Sequence, residues 1–327
     1  MTVSGASETP ELSVVLAAAD GYGSVRQTVA HLRAQSALDR IELVLVLPPG
    51  SAAADDAGLR DFRWLKRVEW PPGTVGGANA AGVREASAAV VALAEDHCFP
   101  EPGWAEALLQ AHHEDWAAVG PGVRNANPAT AVSWADFFIG YGPWMLPAER
   151  READFLPGHN SSYKRELLLG YGSELEQMLE AETVLHWDLR RRGLRLLLEP
   201  AAVAAHTNFS LWRSWLPVQY HAGRLFAGSR VRGMPGGKRL LYVTGAPLIP
   251  LVRLARIARQ AARARLSGRF LASLHALAVG LALDGLGQFM GYLAGTGGAR
   301  EQVARYEYRR VDHVTEHDRT NVLGAGP

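Results

Sequence analysis

The sequence has little cysteine and no apolar N-terminal stretch. Cys98 is the only cysteine in 327 residues, which excludes an internal disulfide and favours a reducing compartment. Residues 1–10 are small and polar and lack the basic and apolar regions of a signal peptide, so we expect a short disordered lead there. The net charge of +1 identifies no partner by itself.

Acidic residues are missing from one long stretch. Between Glu199 and Asp284 the chain has none, but it carries twelve lysines and arginines. This asymmetry indicates a nearby anionic surface, which could be lipid headgroups or nucleic acid. Stacking aromatic residues are not interleaved with these arginines, so we expect no nucleic-acid partner.

The same stretch contains apolar runs that are too short for simple membrane spans. Residues 240–252 and 270–283 are uncharged, whereas a spanning helix needs about 20 apolar residues. A longer span over 270–294 would bury the ionisable Asp284.

Between these runs, Arg253, Arg256, Arg259 and Arg263 fall on one side of a helical wheel, which predicts a helix lying in a membrane interface. We therefore predict a membrane-associated segment over 213–300 that binds anionic lipid on the cytoplasmic face of the cell membrane. Residues 301–327 would form a polar, solvated tail. The alternatives are a soluble helical hairpin and an oligomer interface.

The first two hundred residues alternate strands and helices. The predicted strands cover residues 12–16, 41–47, a short run near Val68, 88–94, 117–119 and 194–198. The predicted helices cover residues 25–38, 79–87, 102–113 and 174–192. This pattern predicts an α/β domain over 11–212 with a doubly wound sheet, and ligands in such domains bind beyond the carboxyl ends of the strands. An aromatic stretch over 132–156 is either core or an acceptor-binding surface.

Glu95, Asp96 and His97 follow an apolar strand and form the strongest chemical feature. Oxygen and imidazole ligands suit Mg²⁺ or Mn²⁺, which can bridge the phosphates of a nucleotide diphosphate. In an extended strand residues 95 and 97 point to the same side, so we predict Glu95 and His97 as the metal-facing pair. A turn would present Asp96 instead, and the alternative reading is a solvated strand end.

The order of these features resembles family 2 glycosyltransferases, which have the GT-A fold. The matching residues are Asp20 after the first strand, Asn79 in the helix before the metal motif, Glu95-Asp96-His97 with Pro100 three residues later, Gly158-His159-Asn160 before Lys164-Arg165-Glu166, Ala181-Glu182 before Arg190 to Gly193, and His206 after the last strand. The resemblance covers about residues 11–212. It implies a GT-A-like mixed sheet followed by a C-terminal helical segment.

The resemblance also implies roles for these residues. Glu182 would be the general base of an inverting sugar transfer from a nucleotide-sugar donor to a hydroxyl on a glycan or lipid-linked acceptor, with Glu180 as the rival base. A divalent cation would be held by the predicted metal ligands Glu95, His97 and His206. Asp20, Asn79, Asp96, Gly158 and Asn160 would bind the nucleotide sugar.

Three positions depart from the family pattern. Leu47 and Pro48 stand where an acidic residue usually contacts the nucleoside, the metal motif begins with Glu95, and Ala181 replaces the first acid of a pair. A non-catalytic glycosyltransferase-like scaffold at the membrane is therefore the alternative function. A Rossmann oxidoreductase is disfavoured, because Gly21-Tyr22-Gly23 is only a fragment of the dinucleotide-binding motif.

Overall fold

The computed structural model describes residues 8–18, 20–51, 57–71, 73–231, 233–307 and 309–324. These residues form two compact units, one of residues up to 124 and 148–205, and one of residues 125–147 and 206 onward. The first seven residues of the predicted lead lie outside the described residues, and 8–10 form no helix or strand.

The described residues contain nine strands, which form one mixed sheet. The strands are β1 (Leu12–Ala17), β2 (Ile41–Leu47), β3 (Trp64–Glu69), β4 (Val90–Ala94), β5 (Cys98–Pro100), β6 (Ala118–Asn125), β7 (Arg151–Glu152), β8 (Ser162–Lys164) and β9 (Leu196–His206). Their order in the sheet is β3-β2-β1-β4-β8-β6-β9-β5, with β7 paired to β9. β1 pairs in parallel with β2 and β4, whereas β8 is antiparallel to β4 and β6. The predicted mixed α/β sheet is confirmed.

The centre of the sheet is buried on both faces and is apolar except for Ser13 and Glu42. Every residue of β2 is buried, and in β1 only Ala17 is partly exposed. Continuous apolar runs of this kind are typical of parallel strands covered by helices on both sides. Gly82 permits one such helix to lie close, because an added Cβ there would come within 2.3 Å of a methyl group of Val15.

Six α-helices belong to the described part of the first unit, and a break at Ala181 divides the predicted 174–192 helix into two of them. They are α1 (Tyr22–Arg33), α2 (Val75–Glu85), α3 (Trp104–His112), α5 (Arg165–Leu169), α6 (Leu175–Leu179) and α7 (Glu182–Arg191). The predicted continuous helix was wrong, because the chain leaves helical geometry at Ala181 (φ −143°, ψ 68°). The Glu180 carboxylate next to this break accepts a hydrogen bond from the Gly76 N–H in the first turn of α2.

The second unit is helical. Its helices are α4 (Ala131–Tyr141), α8 (Trp212–Arg230), α9 (Gly236–Gly245), α10 (Ile249–Arg263), α11 (Ser267–Ala272), α12 (Leu274–Ala294), α13 (Ala299–Glu307) and α14 (Glu316–Asn321). The aromatic stretch forms α4 and the loop after it, and Phe137, Phe138 and Trp144 are buried. These three side chains are therefore core residues, which is the first of the two interpretations given for the aromatic stretch.

Glycines bring α8 and α12 into backbone contact. A Cβ at Gly287 would lie 2.1 Å from the Tyr220 carbonyl oxygen, and one at Gly223 would lie 2.3 Å from the Asp284 carbonyl oxygen. The two backbones can approach this closely only because neither glycine has a side chain. α8 and α12 are therefore one tightly packed pair.

The predicted boundaries differ from those of the two units. The sequence places the end of the first domain at 212, but the contacts divide the chain between residues 205 and 206 and assign 125–147 to the second unit. The boundary crosses β6 and β9, so both strands run from the first unit into the second. α4 belongs to the second unit because it packs on α8, α11 and α12.

The predicted solvated tail after residue 301 was wrong for the residues that the structure describes. Arg310, Val314 and Asp318 are buried. The Asp318 carboxylate accepts hydrogen bonds from the Ser210 hydroxyl and the Asn127 amide, at 2.6 and 3.1 Å. The high charge of this segment suggested solvent exposure, but several of the charged groups make internal contacts.

Asp136 on α4 is a largely shielded carboxylate of the second unit, with its side chain 13% exposed. It accepts hydrogen bonds from Trp215 Nε1 at 2.9 Å, Gln219 Nε2 at 3.1 Å and the Phe209 N–H at 3.0 Å. Arg310 Nη1 lies 3.9 Å from the carboxylate. Burial raises the pKa of Asp136 to about 6, and the positive charge of Arg310 only partly offsets this effect.

We predict that Asp136 makes stability depend on pH. Its folded pKa is above the unfolded value, so its favourable contribution is complete below about pH 4 and is lost as the pH rises through about 6. Urea denaturation measures the free energy of unfolding of wild type and of Asp136→Asn. The wild-type value minus the Asp136→Asn value should fall by about 3 kcal/mol between about pH 4 and pH 7. The exposed Asp154→Asn variant is the control and should follow the wild type. A difference for Asp136→Asn that does not change with pH would contradict the prediction.

Candidate active site

The Glu95-Asp96-His97 triplet forms a tight turn at the carboxyl end of β4. Glu95 pairs with Cys98 in an antiparallel bridge, so the chain reverses direction across Asp96 and His97. The predicted strand alternation across these residues was therefore wrong. The turn nevertheless folds His97 back beside Glu95, so both side chains belong to one cluster. Their role as metal ligands stays a prediction.

Glu95 and His97 form a three-residue cluster with His206, the last residue of β9. Each side chain offers one ligand atom, and these atoms all lie within 4.8 Å of one another, an arrangement that could hold a metal ion. The exposed fraction of each residue is 8% or less. One carboxylate and two imidazoles fit a divalent transition ion such as Mn²⁺ better than Mg²⁺, which prefers oxygen ligands.

Both histidines of the cluster are oriented by neighbouring side chains. His97 Nδ1 lies 2.5 Å from the Asp96 carboxylate, and His206 Nδ1 lies 3.0 Å from the side-chain oxygen of Asn208. When Nδ1–H donates to these oxygens, Nε2 carries the lone pair that can bind a metal. Asp96, predicted to bind the nucleotide sugar, is thus placed to orient His97.

His159 connects the cluster to Glu182. Its Nε2 atom lies 2.8 Å from Glu95 Oε1 and 3.9 Å from Glu182 Oε1. In the sequence, His159 is only the middle residue of the Gly158-His159-Asn160 motif and has no predicted role. Its position between Gly158 and Asn160, two predicted site residues, was the feature of the sequence that could have identified it.

Glu182 is the first residue of α7, and its side chain is only 21% exposed. Burial raises the pKa of its carboxyl group, while the neighbouring His159 opposes this effect. Gly158 makes room for the side chain, because an added Cβ there would lie 2.6 Å from the Glu182 carboxyl carbon. Glu180, the rival base, is instead hydrogen-bonded to the first turn of α2.

The remaining predicted residues have different surroundings. Asp20 is exposed at the carboxyl end of β1, on the same sheet edge as the triplet. Asn79 on α2 is buried, and its side-chain oxygen has no hydrogen-bond partner among the residues that the structure describes.

Asn160 is buried in the left-handed region (φ 55°) and holds the end of β4 in place. Its N–H donates to the Leu93 carbonyl oxygen at 2.6 Å, and its carbonyl oxygen accepts from Trp104 Nε1 at 3.1 Å. These contacts describe a backbone anchor. Its predicted part in binding a nucleotide sugar stays a prediction.

We predict that the cluster binds Mn²⁺ in the absence of any other ligand. Removing a ligand by His97→Ala or His206→Ala should weaken binding by about 100-fold or more, and Asp96→Asn should weaken it by about tenfold or more because His97 loses its orienting carboxylate. Isothermal titration calorimetry measures these changes. His113→Ala removes an exposed histidine and should bind Mn²⁺ like the wild type. Equal affinity in all four variants would exclude this metal site.

We also predict that Gly158→Ala displaces Glu182 without unfolding the protein. The added methyl group overlaps the Glu182 carboxyl group, which is the end of a flexible side chain and can move away. The thermal midpoint of unfolding should change by a few degrees at most, whereas any activity that needs Glu182 should fall about tenfold or more. Gly140→Ala, where a Cβ meets nothing within 4 Å, is the matched control.

No protein-family model matches the chain, and no curated protein matches it. Among solved structures, the chain is similar to the mannosyltransferase PcManGT from Pyrobaculum calidifontis in complex with GDP-Man and Mn²⁺, at 16% identity over 91% of this chain and 87% of that chain, with a TM-score of 0.49. It is similar to TarS 1-349 of S. aureus at 15% identity over 86% and 91% of the chains, with a TM-score of 0.42. It is similar to GalNAc-T7 with UDP, GalNAc and Mn²⁺ at 13% identity and a TM-score of 0.44, over 61% of this chain but only 44% of that one. At these identities and TM-scores the similarities are distant, and they assign no role to a residue of this chain.

Proposed function

We propose that the protein is a metal-dependent inverting glycosyltransferase that moves a sugar from a nucleotide-diphosphate donor to a hydroxyl acceptor. The observation that carries the proposal is the Glu95–His159–Glu182 chain of contacts beside the Glu95, His97 and His206 cluster. It combines ligands for a cation with a buried carboxylate. Together with the order of motifs that resembles family 2 glycosyltransferases, this combination favours sugar transfer.

Glu182 is the residue we propose as general base. Its carboxylate accepts the proton of the acceptor hydroxyl as the acceptor oxygen forms a bond to the anomeric carbon. The bond from that carbon to the phosphate oxygen breaks on the opposite side, so the configuration inverts and the nucleotide diphosphate leaves. The raised pKa of Glu182 makes its carboxylate a stronger base than a solvated glutamate.

The other residues hold the reacting groups in place. Glu95, His97 and His206 would bind the divalent cation, with Asp96 and Asn208 fixing the two imidazoles. The bound cation would stabilise the negative charge of the departing diphosphate. His159 fixes the Glu95 carboxylate through Nε2, and the same nitrogen lies close to the Glu182 carboxylate.

We assign nucleotide-sugar binding to Asp20, Asn79, Gly158 and Asn160. The buried, unpartnered side-chain oxygen of Asn79 is suited to accept a hydrogen bond from a ligand. Gly158, which has no side chain, leaves the space that Glu182 occupies. Leu47 and Pro48 replace the family's acidic residue, so nucleoside recognition would depend on other groups. The acceptor we propose is a lipid-linked molecule or a cell-surface glycan.

The test compares Glu182→Gln with Glu180→Gln. With Mn²⁺ and a panel of nucleotide sugars, Glu182→Gln should lower turnover by about 10²–10⁴-fold while Mn²⁺ affinity stays unchanged, because the base is lost and the metal ligands remain. Glu180→Gln should retain turnover, because that carboxylate accepts a backbone hydrogen bond from α2. Release of the nucleotide diphosphate measures the reaction, and near-normal turnover of Glu182→Gln would exclude it as the base.

The same panel tests the alternative of a non-catalytic scaffold. The scaffold alternative predicts that the wild-type protein binds Mn²⁺ and a nucleotide sugar but neither hydrolyses nor transfers the sugar of any donor. The departures at Leu47, Glu95 and Ala181 are the residues that would then explain the loss.

A further inference from the structure

Large exposed apolar side chains are confined to one part of the chain. Among the described residues, all of them lie in the second unit, between Trp212 and Leu293. They are Trp212, Phe226, Leu240, Leu241, Leu248, Leu251, Val252, Leu271, Leu274, Val279, Leu286 and Leu293. The first unit has none among its described residues, so this distribution is not a general property of the surface. Contiguous exposed apolar surface marks a site for a protein or a membrane.

Most of these side chains lie on two apolar helical segments. Gly236–Arg263, which comprises α9, a 3₁₀ turn and α10, and Leu274–Ala294, which is α12, are each long and apolar enough to cross a membrane. Only 11% of the apolar window in the first segment is buried, compared with 56% in the second. The first segment is therefore an apolar helix that the rest of the described chain leaves uncovered.

The two segments pack against each other in opposite directions. Near the start of α9, the Arg239 guanidinium donates hydrogen bonds to the carbonyl oxygens of Tyr292 and Leu293, at the end of α12. Further along, Pro250 packs against Gly285. The exposed residues Leu251 and Leu286 directly follow this contact in sequence. We call this pair of segments the apolar hairpin.

The apolar hairpin cannot cross a bilayer in this structure. α12 is in backbone contact with α8, which carries Arg213, Arg224 and Arg230 and would enter the hydrocarbon with it. Charged groups in the centre of a membrane are costly, and they occur where a bundle or a cavity shields them. A hairpin with one covered face and one apolar exposed face is suited to lie in the interface.

Arg253 is not part of the headgroup-facing surface, which corrects the sequence prediction. It makes an ion pair with the buried Asp284 at 2.5 Å and donates a hydrogen bond to the Ile139 carbonyl oxygen at 3.0 Å. The pair neutralises the acid that interrupts the apolar run of α12. Arg256, Arg259 and Arg263 remain exposed on α10.

Charge determines which occupant fits the apolar hairpin. Arg265 and Arg269 follow the three exposed arginines of α10, and the sequence has no acid from residue 200 to 283. A second copy of the chain would bring two such cationic rows together, which is unfavourable. An anionic lipid surface offers both hydrocarbon for the leucines and negative headgroups for the arginines.

We infer that the apolar hairpin inserts its exposed leucines into one leaflet of an anionic membrane, lying in the interface without crossing it, while Arg256, Arg259 and Arg263 contact the headgroups. This inference does not depend on the proposed sugar transfer. It requires only that the second unit is folded.

Flotation of the purified full chain with vesicles tests the inference. Vesicles of phosphatidylcholine with roughly a third phosphatidylglycerol should bind the protein, and vesicles of phosphatidylcholine alone should bind it at least tenfold more weakly. Replacing Arg256, Arg259 and Arg263 with Gln should lower binding to anionic vesicles by about 100-fold. Replacing Arg63, Arg67 and Arg191, which are exposed in the first unit, removes the same charge and should leave binding unchanged.

The apolar contribution is tested with Leu248→Gln together with Leu251→Gln, at positions that are 61% and 65% exposed and so tolerate polar side chains. This variant should bind anionic vesicles about tenfold or more weakly. Trp212→Gln with Phe226→Gln changes exposed apolar residues of α8 and should bind like the wild type.

Equal binding to both kinds of vesicle would overturn the inference. A stable dimer that does not bind vesicles, and that dissociates in the double leucine variant, would also overturn it. Protease digestion of vesicle-bound protein from the outside should leave no fragment protected inside the vesicle, and a protected fragment would also overturn it.

Discussion

The carboxylate of Glu95 takes part in two arrangements at once. One oxygen contacts His159, which in turn approaches Glu182, and the residue also belongs to the cluster with His97 and His206. A buried carboxylate is stable only when hydrogen bonds or opposite charges compensate for the lost solvation. Glu95 obtains this compensation from imidazoles, which are also metal ligands. The physical requirement that stabilises the acid therefore also assembles the candidate site.

The backbone around Glu95 fixes this arrangement. β4 ends at Ala94, the chain turns across Asp96 and His97, and the Asn160 N–H donates to the Leu93 carbonyl oxygen. Together with the hydrogen bond from Trp104 Nε1 to the Asn160 carbonyl oxygen, this bond anchors the residue that follows His159. Gly158, one residue earlier still, leaves the space that Glu182 occupies. Three consecutive residues thus join the end of β4 to the start of α7, and none of these contacts is local in sequence.

Much of the fold could be predicted because the sheet is strongly patterned. The predicted strand at 41–47 coincides with β2, and the strand beginning at Leu12 is extended by one residue. Burial of both faces produces continuous apolar runs, which are visible without a structure. The break at Ala181 has no such pattern in the sequence, and the contact beside it joins Glu180 to the first turn of α2, about a hundred residues away.

The candidate site was predictable in its residue types and not in its contacts. Glu95 and His97 were selected because they follow an apolar strand and His206 because of the family resemblance, but the contacts of Asp96 and His159 depend on a turn and on a loop from a distant part of the chain. For the same reason Arg253 was assigned to the wrong surface. A helical wheel gives the direction of a side chain, but it does not show that a buried acid on another helix lies within reach.

Asp284, Asp136 and Glu95 are three shielded acids that differ in the chemistry of their partners, and that difference separates structure from function. Asp284 is paired with the guanidinium of Arg253, whose positive charge compensates the buried carboxylate. Asp136 accepts three hydrogen bonds and lies near a more distant arginine, but burial outweighs these partners and raises its pKa. Glu95 alone among the three contacts imidazole groups, which are uncharged in one of their two protonation states. A neutral imidazole supports a carboxylate and still offers a lone pair, so this acid can share a cation with its neighbours where the other two cannot.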